Sequence, residues 1–194
     1  LVDGGYDIRP LEKAIRGFVG MFRNRGHIVR VGATMCIEHL TAIIASELLK
    51  NDHHLQGSDE QLREIWIWHA VEEIEHKAVA FDLWMYLTRD WSGFRRWITR
   101  STLLAVISTT FFYNRTRGQL ILLSQDGIGP LRGFLAAIRS GFGKGGIGRL
   151  ILPSWASFLK PGFHPWQYDD RHLVLKGEAI LTEMKRARQA VRKK

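Results

Sequence analysis

The sequence predicts an all-α protein. Apolar residues recur at helical spacing over long runs, and only five prolines interrupt the 194 residues. β-branched residues rarely alternate with polar ones long enough to make a strand. With 45% hydrophobic residues, the chain is long enough to bury one sizeable core. Residues 1–194 therefore read as a single helical domain. Its bundle helices fall within 10–124, a Gly/Pro-rich irregular segment occupies 125–170, and a basic helix fills 171–194.

Pro10 opens a short amphipathic helix that runs to about Asn24 and closes at Arg25-Gly26. A long helix follows from His27 to Lys50, with Val31, Thr34, Met35, Glu38, Ala42, Ala45 and Leu49 on its inner line. Cys36 lies about 200° around that helix from Glu38 and reads as core packing. As the single cysteine it excludes an intramolecular disulfide and points to a reducing compartment. The polar stretch NDHHLQGSDEQ is a loop, and Ser58 with Gln61 forms a capping box that opens the next helix, 59–88. Because the loop is short, helices 27–50 and 59–88 are expected to pack antiparallel. A turn at Asp90–Gly93 offers Ser92 as the N-cap of a helix over 94–124, which QDGIGP ends. Beyond Pro130 a helix is broken by GFGKGGIG. That stretch lacks G-x-x-x-x-G-K-[ST] and follows no strand, which excludes a phosphate loop. In PGFHPWQYDD, Pro161 and Pro165 set turn geometry and Asp170 is the expected N-cap of the last helix. His164, Asp169 and Asp170 thus read as turn residues, or, functionally, as the rim of a pocket.

The net charge of +9 is uneven. The last ten residues, KRARQAVRKK, hold six basic groups and no acid, so without them the charge is +3. Such a tail is a solvated helix end or a patch for anionic lipid. No nucleic-acid motif accompanies it. Ser101–Asn114 is an uncharged run between Arg100 and Arg115, too short to span a bilayer, which takes about 20 residues. It reads as a buried bundle helix, with peripheral membrane contact as the alternative. The expected location is cytoplasmic, extended to the membrane surface in that alternative.

The chemistry concentrates in HAVEEIEH, residues 69–76. His69, Glu73 and His76 stand at i, i+4 and i+7, within about 60° on one helix face. Leu62, Ile65, Ala80, Leu83 and Leu87 share that face, so the trio is expected to point into the core. Buried polar groups need partners, and one metal ion would satisfy all three. Glu38 supplies a carboxylate from the neighbouring helix, where Ala42 and Ala45 leave room for metal and substrate. Glu72, about 60° from His69, is a candidate catalytic acid or an alternative ligand to Glu73. The plainer reading makes these satisfied core histidines among surface charges such as Glu75 and Lys77. Mixed imidazole and carboxylate donors suit iron, manganese or zinc. H-x-x-x-E-x-x-H is not the zinc-protease H-E-x-x-H. Its Glu73-x-x-His76 half is the di-metal signature of ferritin-like bundles.

Residues 27–90, with WHAVEEIEHKAVAFD at Trp68–Asp82, resemble the bacterial family of predicted metal-dependent hydrolases, and PGFHPW at Pro161–Trp166 is similar to that family's C-terminal motif. The pattern also resembles the p-aminobenzoate N-oxygenase class of di-iron enzymes, whose last bundle helix carries the same H-x-x-x-E-x-x-H. These resemblances imply a ferritin-like bundle with two iron or manganese ions, zinc being the alternative. Glu38 would be the lone carboxylate of a third helix, and His69, Glu73 and His76 would come from the fourth. A complete di-metal site needs another Glu and another E-x-x-H, and no second E-x-x-H occurs in the sequence. The expectation is an incomplete portion of the bundle with a C-terminal helical extension. Either an N-terminal region is missing, or two chains of a homo-oligomer share the site, or the site is mononuclear and incomplete, the first being the favoured expectation. The implied activity is oxidation with activated oxygen, or hydrolysis, of a small apolar substrate. The rival is a non-catalytic helical protein that binds a membrane or a protein partner through its apolar helix and basic tail.

Overall fold

A computed structural model describes residues 4–192, and among them there is no strand. The axis is helix α2 (His27–Lys50), which contacts nearly every other element. Ahead of it lies α1 (Arg9–Gly20), with Pro10 in its first turn; after it come α3 (Glu60–His76) and α4 (Val79–Leu87). The long helix α5 (Gly93–Gln125) is followed by α6 (Pro130–Phe142), α7 (Ile147–Leu150), α8 (Leu152–Ser157) and α9 (Arg171–Arg192). The all-α reading holds. The segment 125–170 is more regular than expected, because α6, α7 and α8 occupy half of it.

Two cores flank α2. Met35, Cys36 and Leu40 pack against Phe81 and Trp84 of α4, Leu104 and Ile107 of α5, and Phe158 and Phe163. Further along, Ala45 and Leu49 meet Ile67, Val71 and Ile74 of α3 and Leu173, Leu181 and Met184 of α9. Close approach is written into two glycines. A Cβ on Gly32 would stand 2.6 Å from Leu103 Cδ1, and one on Gly177 would stand 2.5 Å from Val71 Cγ2. As α2 rises from Glu38 to Thr41, its hydrogen-bond partner falls from Ala80 to Glu73, as antiparallel packing requires.

Three local expectations change. The cap of α3 is Asp59, not Ser58. Its carboxylate accepts the N–H groups of Gln61 at 2.9 Å and Leu62 at 3.3 Å, two of the donors a helix start leaves free. Ser92 does cap α5, accepting from Arg95 N–H at 3.2 Å. The helix expected over 59–88 is two helices, broken at Lys77-Ala78. There Lys77 turns inward and is 5% exposed. Its ammonium is held by the Asp170 carboxylate, by the Tyr168 carbonyl at 2.7 Å and by the Trp166 ring at 4.3 Å. Lys77 is therefore no surface charge. Nor does the Asp170 side chain cap α9, since it is committed to Lys77 and to the Ser46 hydroxyl at 2.8 Å. It is Asp169 that accepts the Arg171 N–H, at 3.2 Å.

The PGFHPW segment locks onto α4. Phe163 and Pro165 are buried. His164 Nδ1 accepts the Trp166 N–H at 3.2 Å, which leaves Nε2–H to donate to Asp82 at 3.0 Å. Helix α9 is also more than a tail. Leu173, Leu181 and Met184 are core, Lys176 binds Asp52 at 3.1 Å, and Arg188 pairs with Glu64. The end of the basic run, 193–194, lies outside the described residues. One described helix, α2, is long and apolar enough to cross a membrane; it is also the central core helix.

Candidate metal centre

α3 buries Ile67, Ala70, Val71 and Ile74, spaced i, i+3, i+4 and i+7. His69, Glu73 and His76 fall on another side of the wheel, centred about 140° away. They therefore do not point into the core as expected. The side chains of His69 and His76 are 48% and 58% exposed; Glu73, at 20%, is shielded by α2. Leu62, Ile65 and Leu83, expected to share a buried face with them, are exposed as well. The reason is α9, which covers the other stripe of α3.

Glu38, Glu73 and His76 nonetheless meet along one seam. The Thr41 hydroxyl donates to Glu73 Oε2, while His69 Nε2 lies 3.4 Å from Glu73 Oε1. Glu38 Oε2 accepts the Ala80 N–H at 3.0 Å, so it caps the helix that the break at Lys77-Ala78 begins. Burial pushes the Glu38 carboxyl up, the Ala80 N–H opposes this, and the charges of Glu73 and His76 act on it in opposite senses. Glu72 sits 3.6 Å from His76 Nε2.

Among the described residues no three His, Cys, Asp or Glu side chains converge to hold a metal ion. Each donor in the seam is engaged elsewhere: Glu38 by a helix N-terminus, Glu73 by Thr41 and His69, His76 by Glu72. As placed, these residues do not close a metal site, which takes three or four protein donors.

The other sequence candidates lie apart from this seam. Asp169 and Asp170 line a cavity of about 190 Å³ with His39, Ser46, Lys77 and Phe163, on the far side of α2. His164 is not in its lining. His39 is 5% exposed, and its Nε2 has no hydrogen-bond partner. Its ring lies 4.5 Å from that of Phe158 and 5.4 Å from that of Phe163. Burial pushes it down to about 4, with Arg100 and Lys77 adding to the effect. Sequence reasoning passed over His39 and misread Lys77, yet a signal existed. Lys77 continues the buried line Ala70, Ile74 by three residues, where a charge requires a partner.

Residues 1–169 match a family model described as predicted metal-dependent hydrolase. The chain belongs to this family. No curated protein and no solved structure matches it. The description of the predicted metal-dependent hydrolases implies a metal ion. The matched region contains the seam and the PGFHPW segment and stops short of α9, although α9 builds a third of the second core.

Proposed function

We propose that this protein is a metal-dependent hydrolase whose metal centre is assembled on the α2–α3 seam. Glu38, His69, Glu73 and His76 would serve as its donors, together with others that the described residues do not supply. The observation that carries this reading is the surroundings of the seam. Leu62, Ile65 and Trp66 on α3, and Val79 and Leu83 on α4, are large, apolar and exposed. Exposed apolar surface of this kind marks an interaction or binding face. A further helical layer laid over it, from a second copy or from elsewhere in the protein, would bury the four donors and add its own. Glu72, 3.6 Å from His76 Nε2, serves in this reading as the catalytic acid or as an alternative ligand to Glu73.

Family membership supports hydrolysis. The finer reading, two ions of iron or manganese with oxygen chemistry, is supported by Glu73-x-x-His76 beside a lone carboxylate on the adjacent helix, the half-site arrangement of ferritin-like bundles. Zinc suits the same mixed donors. The apolar rim favours a small apolar substrate. Elemental analysis after loading with Fe(II), Mn(II) or Zn(II) tests the site. Stoichiometric metal should appear only when the seam is covered, and His76→Ala should abolish it. Full loading of the His69→Ala/His76→Ala double variant would place the metal elsewhere. Iron-dependent oxygen uptake against zinc-dependent ester cleavage separates the two chemistries.

A further inference from the structure

A helix that packs on a soluble protein buries its large apolar residues and shows water its polar ones. α6 does the reverse. It buries Gly133, Ala137 and Gly141 against α5, and a Cβ on Gly133 would already touch Leu120 at 3.4 Å. Leu131, Phe134, Leu135 and Ile138 point away from the protein, each between 42% and 71% exposed, while Phe142 closes the row with its ring 6.4 Å from that of Phe112. They form a stripe about 100° wide, and Arg132 and Arg139 run along one flank of it.

The charge around this helix is one-sided. Residues 127–168 contain no Asp or Glu and five cations: Arg132, Arg139, Lys144, Arg149 and Lys160. None of the five has an ion-pair partner among the described residues. A second copy docking on this face would set these cations against their own kind. An anionic surface would neutralise them. The stripe, about 10 Å long, is far too short to span a bilayer but suits a helix lying in its interface.

We infer that α6 is a membrane-docking helix that lies on anionic lipid. The stripe from Leu131 to Ile138 enters the acyl boundary, and Arg132 and Arg139 reach back to headgroup phosphates along their own aliphatic stems. The docking face is separate from the Glu38–His76 seam and does not depend on a metal.

Flotation of the full chain with vesicles of phosphatidylcholine containing phosphatidylglycerol, and with phosphatidylcholine alone, tests this. The protein should float with the anionic vesicles and release at high salt. Phe134→Ser/Ile138→Ser should weaken binding by at least about tenfold, as each large apolar side chain contributes more than that factor. Arg132→Gln/Arg139→Gln should weaken it by about fivefold per arginine. Both pairs are exposed, so circular dichroism should show an unchanged fold. Deletion of 185–194 should leave the dependence on Phe134 and Ile138 intact. Three results would overturn the inference: no flotation, flotation indifferent to the apolar pair, or flotation lost only with the tail. So would a dimer that the apolar pair dissociates while vesicles fail to bind.

Discussion

His39 and Lys77 are each only 5% exposed, and each makes a measurable prediction. His39 is held neutral. In the unfolded chain its imidazole takes a proton near pH 6.5, whereas in the fold it resists until about 4. Between those values the unfolded state binds more protons, so stability rises with pH across the window and is complete above it. Acidification from pH 7 to 4 should remove about 3 kcal/mol through this group. Urea denaturation of the wild type and of His39→Leu at both pH values reads the difference, and an equal acid loss in the two would discharge His39. Lys77 and Asp170 are 6% and 13% exposed at their side chains. Lys77→Met strands a buried carboxylate and should cost about 3–5 kcal/mol, most of which Lys77→Met/Asp170→Asn should restore. Additive losses in that double variant would show that the two groups are not coupled. Neither role was legible from residue type alone. Lys77 sits in a run of charges that resembles a solvated face, and only its register with Ala70 and Ile74 says otherwise.

Among the elements, α3 shows how local chemistry chooses between adjacent candidates. Ser58 and Asp59 both suit a helix start, and the spacing Ser58–Gln61 satisfies a capping box. In the fold the Asp59 oxygen reaches Gln61 N–H and Leu62 N–H. Asp59→Ala should therefore lower stability by about 1 kcal/mol, and Ser58→Ala by less than about 0.5. Thermal melts of the two variants decide it, and the reverse order would return the cap to Ser58. The end of α3 was harder to foresee. No proline or glycine marks the break at Lys77-Ala78; it coincides with the inward turn of one lysine and with the Glu38 carboxylate waiting for the Ala80 N–H. The bounds of α2, by contrast, fall where the sequence places them, since Gly26 and the polar loop after Lys50 bracket one uninterrupted apolar period.

For the whole molecule, α9 decides the arrangement. It packs along α3 with Gly177 against Val71, and its Leu173, Leu181 and Met184 complete the second core. Gly177→Ala should push the two helices apart. Overpacking costs about 1–3 kcal/mol, offset by about 1 kcal/mol of helix propensity, and the net loss should appear in denaturant midpoints. A stabilised Gly177→Ala would mean that the α3–α9 contact is looser than drawn.

Helical period, caps and turn residues are local, so the chain could be read as all-α and the candidate donors Glu38, His69, Glu73 and His76 could be named from spacing. Which way those donors face could not be read in this way. α3 is apolar on two sides, with Ile67, Ala70, Val71 and Ile74 along one and Leu62, Ile65 and Trp66 along the other. A helix with two apolar sides has no preferred phase of its own. Burial goes to the side that finds a partner, and that partner, α9, lies about a hundred residues further along the chain, beyond the reach of any local pattern.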